Sequence, residues 1–188
     1  MNLYSLRHCW LGLCWRGGGS RLKINLLLVQ LPAPSQNKIF VIEDCALSLG
    51  AKLNDKPMGS FGDIAICSFY ATKLISTGQG GMILTSNEQI YNNILNLLTY
   101  DKRQDYNISY NYSFTDIQAS LGLSQLNKVQ KIIDLRREHA TYLNYCLADV
   151  EEIILPQVLE GHYPVYQKYA ILIKDSNKKD SLQKYLSD

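Results

Sequence analysis

From Lys38 onward, apolar and polar positions alternate between short strand-like runs and helical stripes. Ile39-Phe40-Val41-Ile42 is an unbroken apolar run that ends in Glu43-Asp44. That pattern predicts a buried parallel strand with polar residues at its carboxyl end. Residues 54–62 are turn-rich, with Pro57, Gly59 and Gly62, and residues 63–69 read as a second strand. Gly78-Gln79-Gly80-Gly81 predicts a tight loop, because glycine takes unusual backbone angles at little cost. Met82-Ile83-Leu84-Thr85 follows as a third strand. Ser86 then opens a predicted helix, with Gln89 completing a capping box and Ile90, Ile94, Leu97 and Leu98 at helical spacing.

A longer single helix is expected after Thr115. Ile117, Leu121, Leu126, Val129, Ile133, Ala140, Leu143 and Leu147 approximate one stripe along it. Lys128, Lys131, Arg136 and Arg137 fall largely elsewhere and read as a solvated face. After Pro156 come a predicted strand around residues 165–173 and a terminal helix over residues 177–186. Strands alternating with helices make the class α/β. The chain contains no internal repeat and no low-complexity tract.

Composition adds bounds to this picture. A length of 188 residues suits one domain with a small extension. With 46% hydrophobic and 10% aromatic residues the chain can bury a core, which excludes wholesale disorder. A net charge of +2 lacks the excess of Lys and Arg that a dedicated nucleic-acid binder carries. No apolar run approaches the roughly 20 residues of a membrane-spanning helix.

Charge is unevenly spread. Residues 1–42 hold Arg7, Arg16, Arg21, Lys23 and Lys38 and no acid, a net +5; the remaining 14 bases and 17 acids give −3. Trp10, Trp15 and Gly17-Gly18-Gly19 also fall in this opening. It lacks the small-residue cleavage site of a secretory signal. His8, Cys9 and Cys14 have no second ligand pair nearby, so no metal is expected. Five cysteines without framework spacing suit free thiols in a reducing cytoplasm.

Candidate chemistry centres on Lys73, just past a strand end and before the glycine loop, where open α/β sheets bind ligands. A lysine that condenses with a carbonyl must be able to lose its proton. Asp44 ends the preceding strand and faces the same crevice, and Ser68 offers a hydroxyl to a phosphate. An acid for a pyridinium nitrogen and a lysine for an aldehyde are what pyridoxal phosphate requires.

Five motifs carry a resemblance. They are Val41-Ile42-Glu43-Asp44-Cys45-Ala46, Gly59-Ser60-Phe61-Gly62-Asp63, Ser68-Phe69-Tyr70-Ala71-Thr72-Lys73, Thr77-Gly78-Gln79-Gly80-Gly81-Met82, and Tyr110-Asn111-Tyr112 through Thr115-Asp116-Ile117-Gln118-Ala119. In order and separation they resemble the DegT/StrS family, pyridoxal-phosphate-dependent aminotransferases of nucleotide sugars with the aspartate-aminotransferase fold (fold type I). The resemblance implies that Lys73 holds the cofactor covalently and moves the proton during transfer. It implies that Asp44 keeps the pyridine nitrogen protonated and that Ser68 binds the phosphate. Asn111 would reach the phosphate from the neighbouring subunit, which implies a homodimer. The implied reaction moves an amino group from an amino acid, typically glutamate, to a keto-sugar nucleotide for polysaccharide or glycan synthesis.

The same resemblance divides the chain into an atypical segment 1–37, a portion of the cofactor-binding large domain at 38–150, and the start of the small C-terminal domain at 151–188. Two positions depart from the pattern. Leu47 stands where the family has Gln or His beside the ring, and Ser113 where it has a basic residue. Nothing in residues 1–37 resembles the family's phosphate-cupping loop or its ring-stacking aromatic, so the chain reads as an incomplete member. Each missing group costs on the order of a few kcal/mol of cofactor binding, which counts against activity of this chain alone. The alternative reading is a catalytically inactive remnant, or a binding module of the same fold. Leu47 and Ser113 favour it, while retention of both Asp44 and Lys73 argues against complete decay.

Overall fold

The computed structural model describes residues 40–98, 100–101 and 106–187. Its central sheet has the order β1 (Ile42–Asp44), β4 (Ile64–Ser68), β5 (Gly81–Thr85). β1 runs parallel to β4 with Asp44 opposite Ile66, and β5 runs antiparallel with Gly81 opposite Ser68. Between β1 and β4 the chain makes a hairpin of β2 (Lys52–Leu53) and β3 (Lys56–Pro57). Asn54 and Asp55 form its turn at φ of 48° and 60°, angles that Asn and Asp tolerate better than other side chains.

Strand alternation separates the two faces of the sheet. Ala65, Cys67, Met82 and Leu84 point into the core. There they join Phe69, Ile75, Ala119, Val129, Ile133 and Val165. The other face carries Ile42 and Ile66, which are 60% and 39% exposed. The apolar run of β1 is therefore parallel, as its pattern predicts, but it is not buried: Phe40 and Val41 are 55% and 45% exposed. Among the described residues β1 is an edge strand, and its side chains lack the covering layer that such a run is built for.

The helices differ from expectation in detail. α1 (Glu88–Leu98) is capped by Asn87, one residue later than predicted. The Asn87 Oδ1 accepts from the backbone N–H groups of Gln89 and Ile90 at 2.9 and 3.2 Å, while Ser86 is buried. The predicted single long helix is two: α2 (Asp116–Leu126) and α3 (Val129–Leu147). The ladder tightens at the break, where the Lys128 N–H bonds to the Gln125 carbonyl three residues back. Val129, Ile133 and Ala140 on α3 are buried, whereas Ile117 on α2 is left 83% exposed. One continuous stripe cannot serve two helix axes.

The C-terminal region forms short pairings. β6 (Ile153–Ile154) pairs with β8 (Leu172–Ile173), and β7 (His162–Tyr163) pairs with β2. The strand expected over residues 165–173 survives only as β8. Tyr166 sits at φ 46°, a left-handed conformation that breaks an extended run. Arg136 and Arg137 hold this irregular segment rather than forming a purely solvated face. Arg137 donates to the Pro164 carbonyl at 2.9 Å, and its guanidinium lies 4.0 Å from the Tyr163 ring centroid. Arg136 donates to the carbonyls of Tyr166 and Gln167. α4 (Asn177–Ser187) closes the chain where the pattern predicts it. No helix among the described residues is long and apolar enough to cross a membrane.

Ile133 joins α3 to this core at 1% exposure. Ile133→Ala is expected to destabilise the fold by about 2–5 kcal/mol, the usual cost of the lost burial plus the cavity left behind. A urea titration followed by circular dichroism checks it, and a cost below about 1 kcal/mol would mean that α3 is not anchored there.

Candidate active site

The parallel register brings the carboxyl ends of β1 and β4 to one edge of the sheet. Asp44 is the last residue of β1 and Ser68 the last of β4. Asp44 pairs with Ile66, two residues before Ser68, so both side chains leave the sheet on the same, open face. Asp44 Oδ1 accepts from the Ala46 N–H at 3.0 Å, which turns the chain away from the strand end. The carboxylate is exposed.

Lys73 lies on the loop from β4 to β5. The Phe69 N–H donates to the Gly80 carbonyl and the Thr77 N–H to the Phe69 carbonyl, both at 2.9 Å, closing the loop on itself. Within it the Lys73 N–H donates to Tyr70 at 2.9 Å, and the Tyr70 N–H donates to Ser68 Oγ at 3.3 Å. Buried Thr77 donates its hydroxyl to the Gln79 carbonyl at 2.6 Å. Gly80, at φ 147°, has no room for a side chain: a Cβ there would run into the Phe114 ring and the Thr77 hydroxyl.

Three further residues hold the site together, and the sequence pattern does not single out their contacts. Glu43 accepts from the N–H groups of Gly59, Phe61 and Gly62, with the Gly59 bond at 2.7 Å. One carboxylate thus pins the whole turn before β4. Asp63 completes the link by accepting from the Val41 N–H at 2.8 Å. Gln118 works similarly at the other end. It forms the capping box of α2 with Thr115, and its Nε2 donates to the Gln79 carbonyl at 3.0 Å. The one signal in the sequence is that Glu43, Asp63 and Gln118 fall inside the family-like motifs, and in the structure those motifs touch.

Asn111 stands on a separate segment, exposed, between Tyr110 and Tyr112 whose rings stack at 5.4 Å. The Tyr110 N–H donates to the Leu97 carbonyl at the end of α1. Leu47, 48% exposed, lines a cavity of about 500 Å³ together with Tyr166, Gln167 and Lys168. Beneath the strand ends, on the core side, Cys67 and Cys45 share a hydrogen bond. It holds the Cys45 thiol below its ordinary pKa, while the same contact and burial push Cys67 well above.

An acid and a hydroxyl on one face, with an amine on the adjoining loop, match the donor set of a pyridoxal-phosphate site in chemistry. The sequence profile of the DegT/DnrJ/EryC1/StrS aminotransferase family matches residues 33–188. The chain belongs to that family.

Among its relatives is the GDP-perosamine synthase of Escherichia coli O157:H7, 32% identical over 167 residues, covering 83% of this chain and 43% of that protein. The crystal structure of the aminotransferase TlmJ from Streptoalloteichus hindustanus superposes with a TM-score of 0.71 at 25% identity, covering 78% of this chain and 42% of that one. Spr1654 of Streptococcus pneumoniae, described as a sugar aminotransferase and solved in its PLP form, gives a TM-score of 0.72 at 23% identity over 83% of this chain and 44% of that one. The fold is that of the family's sugar aminotransferases. This chain spans less than half the length of these DegT/DnrJ/EryC1/StrS relatives.

Glu43→Gln keeps the shape but gives up a carboxylate that accepts three N–H groups. The variant is expected to lose about 1–3 kcal/mol of stability, with faster hydrogen exchange at the amides of Gly59, Phe61 and Gly62. Unchanged exchange at those three amides would mean that the turn holds without its anchor.

Proposed function

We propose that this chain is part of a pyridoxal-phosphate-dependent aminotransferase acting on keto-sugar nucleotides. The observation that carries the reading is the pair Asp44 and Ser68 at adjacent strand ends on one face, with Lys73 on the loop that follows. When bound, the cofactor supplies an aldehyde for the amino group and a ring that withdraws electrons from the reacting carbon.

Lys73 Nζ would hold that aldehyde, and its amine, when free, would move a proton at the reacting carbon. Asp44 would pair its carboxylate with the ring nitrogen. Ser68 Oγ donates to a phosphate oxygen. Asn111 donates to the phosphate of the neighbouring subunit, so the working unit is a homodimer.

The acceptor is a nucleotide-linked keto-sugar; the relative named GDP-perosamine synthase supports the nucleotide-sugar part. The amino donor is an amino acid, glutamate by the family resemblance. Residues 38–150 serve as a portion of the cofactor-binding large domain and 151–188 as the start of the small one. Free Cys45, Cys67 and Cys146 suit a reducing cytoplasm. One observation favours a second reading, an inactive remnant of this fold: Leu47 offers no hydrogen bond to the ring.

Adding pyridoxal phosphate to the purified chain, reducing with borohydride and mapping peptides tests the proposal. The expected outcome is cofactor trapped at Lys73 and none at that position in Lys73→Ala, whose circular dichroism is unchanged. A folded chain that traps no cofactor at Lys73 would favour the inactive remnant.

A further inference from the structure

We propose that Gln167 is a positioning residue for Lys73 and acts on it through the Thr72–Lys73 peptide from the far end of the chain. The proposal rests on the reading of Lys73 as the reactive amine. Gln167 Nε2 donates to the Thr72 carbonyl at 2.6 Å, across 95 residues of sequence. That carbonyl belongs to the same planar peptide as the Lys73 N–H, which donates to Tyr70 at 2.9 Å. The peptide is therefore held at both its polar ends. A planar unit fixed at both ends has little freedom to rotate, and it sets the direction in which the Lys73 side chain departs.

The donor itself is held firmly. Arg136 donates to the carbonyls of Tyr166 and Gln167 at 3.1 and 3.3 Å, and Arg137 to that of Pro164 at 2.9 Å. Val165, between them, is buried in the common core. Tyr166 is kept at φ 46°, a strained conformation that persists only where surrounding contacts over-determine it. The strained residue immediately precedes the one that reaches the Lys73 loop.

A role in packing alone does not account for the side chain. Gln167 Oε1 is buried with no hydrogen-bond partner, an unfavourable arrangement that an apolar residue of similar size would avoid. Only the amide N–H has a visible task, and that task is at Thr72.

The test compares the full chain with Gln167→Leu and Gln167→Glu, reading hydrogen exchange at the Lys73 amide and acetylation of its amine by acetic anhydride. Exposed Lys178 on α4 is the internal reference. Loss of the donor in Gln167→Leu is expected to lower protection of the Lys73 amide about tenfold, as befits one hydrogen bond. Acetylation of Lys73 should accelerate with no change at Lys178. Gln167→Glu should show the same loss at neutral pH, because a carboxylate cannot donate. It should recover protection once acid protonates it, below a free-carboxyl pKa of about 4.3 or higher where burial raises it.

A purely space-filling role would give no such step. Unchanged protection in Gln167→Leu would overturn the proposal, as would a loss in Gln167→Glu that acid does not reverse. If Gln167→Leu fails to fold, the two pH values of Gln167→Glu supply the comparison within one protein. Neither measurement uses the cofactor. Absence of trapped pyridoxal phosphate would therefore overturn the reading of Lys73 as the reactive amine without touching its positioning by Gln167.

Discussion

The register between β1 and β4 is the constraint on which the site depends. Side chains alternate along a strand, so a slip of one residue would exchange the faces of Glu43 and Asp44. Asp44 would enter the core beside Cys67, and Glu43 would stand on the open face without the three N–H groups it now holds. The observed register satisfies both acids at once: Glu43 turns to the loop before β4 and Asp44 to the face shared with Ser68. Two adjacent acids in sequence thereby take unrelated duties. One fixes the strand, and the other is left available at its end.

The loop carrying Lys73 is built on a comparable division of labour. Its own backbone bonds close it, but its position comes from outside. Gln118 reaches it from the start of α2 at Gln79, and Gln167 reaches it from the C-terminal segment at Thr72. Both are side-chain amides that donate to loop carbonyls. An amide can do this while remaining neutral, which avoids placing another charge beside the amine of Lys73. The lysine is thus presented by three separate parts of the chain, and its geometry is a property of their packing rather than of the loop alone.

Much of this was legible in the sequence where local rules govern. β4, β5, the glycine loop and α4 follow from alternation, glycine placement and helical spacing, as does the position of Asp44 and Ser68 at strand ends with Lys73 on the next loop. What escaped was set by contacts distant in sequence or by layers that the pattern presupposes. The apolar run at β1 correctly signals a parallel strand, but the burial it predicts is not found, because exposure depends on what lies over a strand and not on its own residues. The stripe through α2 and α3 looked continuous because Asn127-Lys128 is a break that helix propensity tolerates; only the burial of Val129 and Ile133 against exposed Ile117 reveals two axes. Residues 165–173 read as strand, and no local rule foresees that Arg136 and Arg137 would hold the stretch around left-handed Tyr166, leaving only β8 extended.

The open face of the sheet and the site share one cause. On this face Asp44 and Ser68 leave the strand ends beside Ile42 and Ile66. An acid next to exposed isoleucines has most of its hydration; the same acid under a covering layer would lose it and be held by its partner instead. In the proposed role, the attraction of Asp44 for a ring nitrogen would grow if its apolar neighbours were covered, because Coulomb attraction grows as water is excluded. On the proposed reading, the apolar run before Glu43-Asp44 therefore bears on the strength of the site as directly as the carboxylate that ends it.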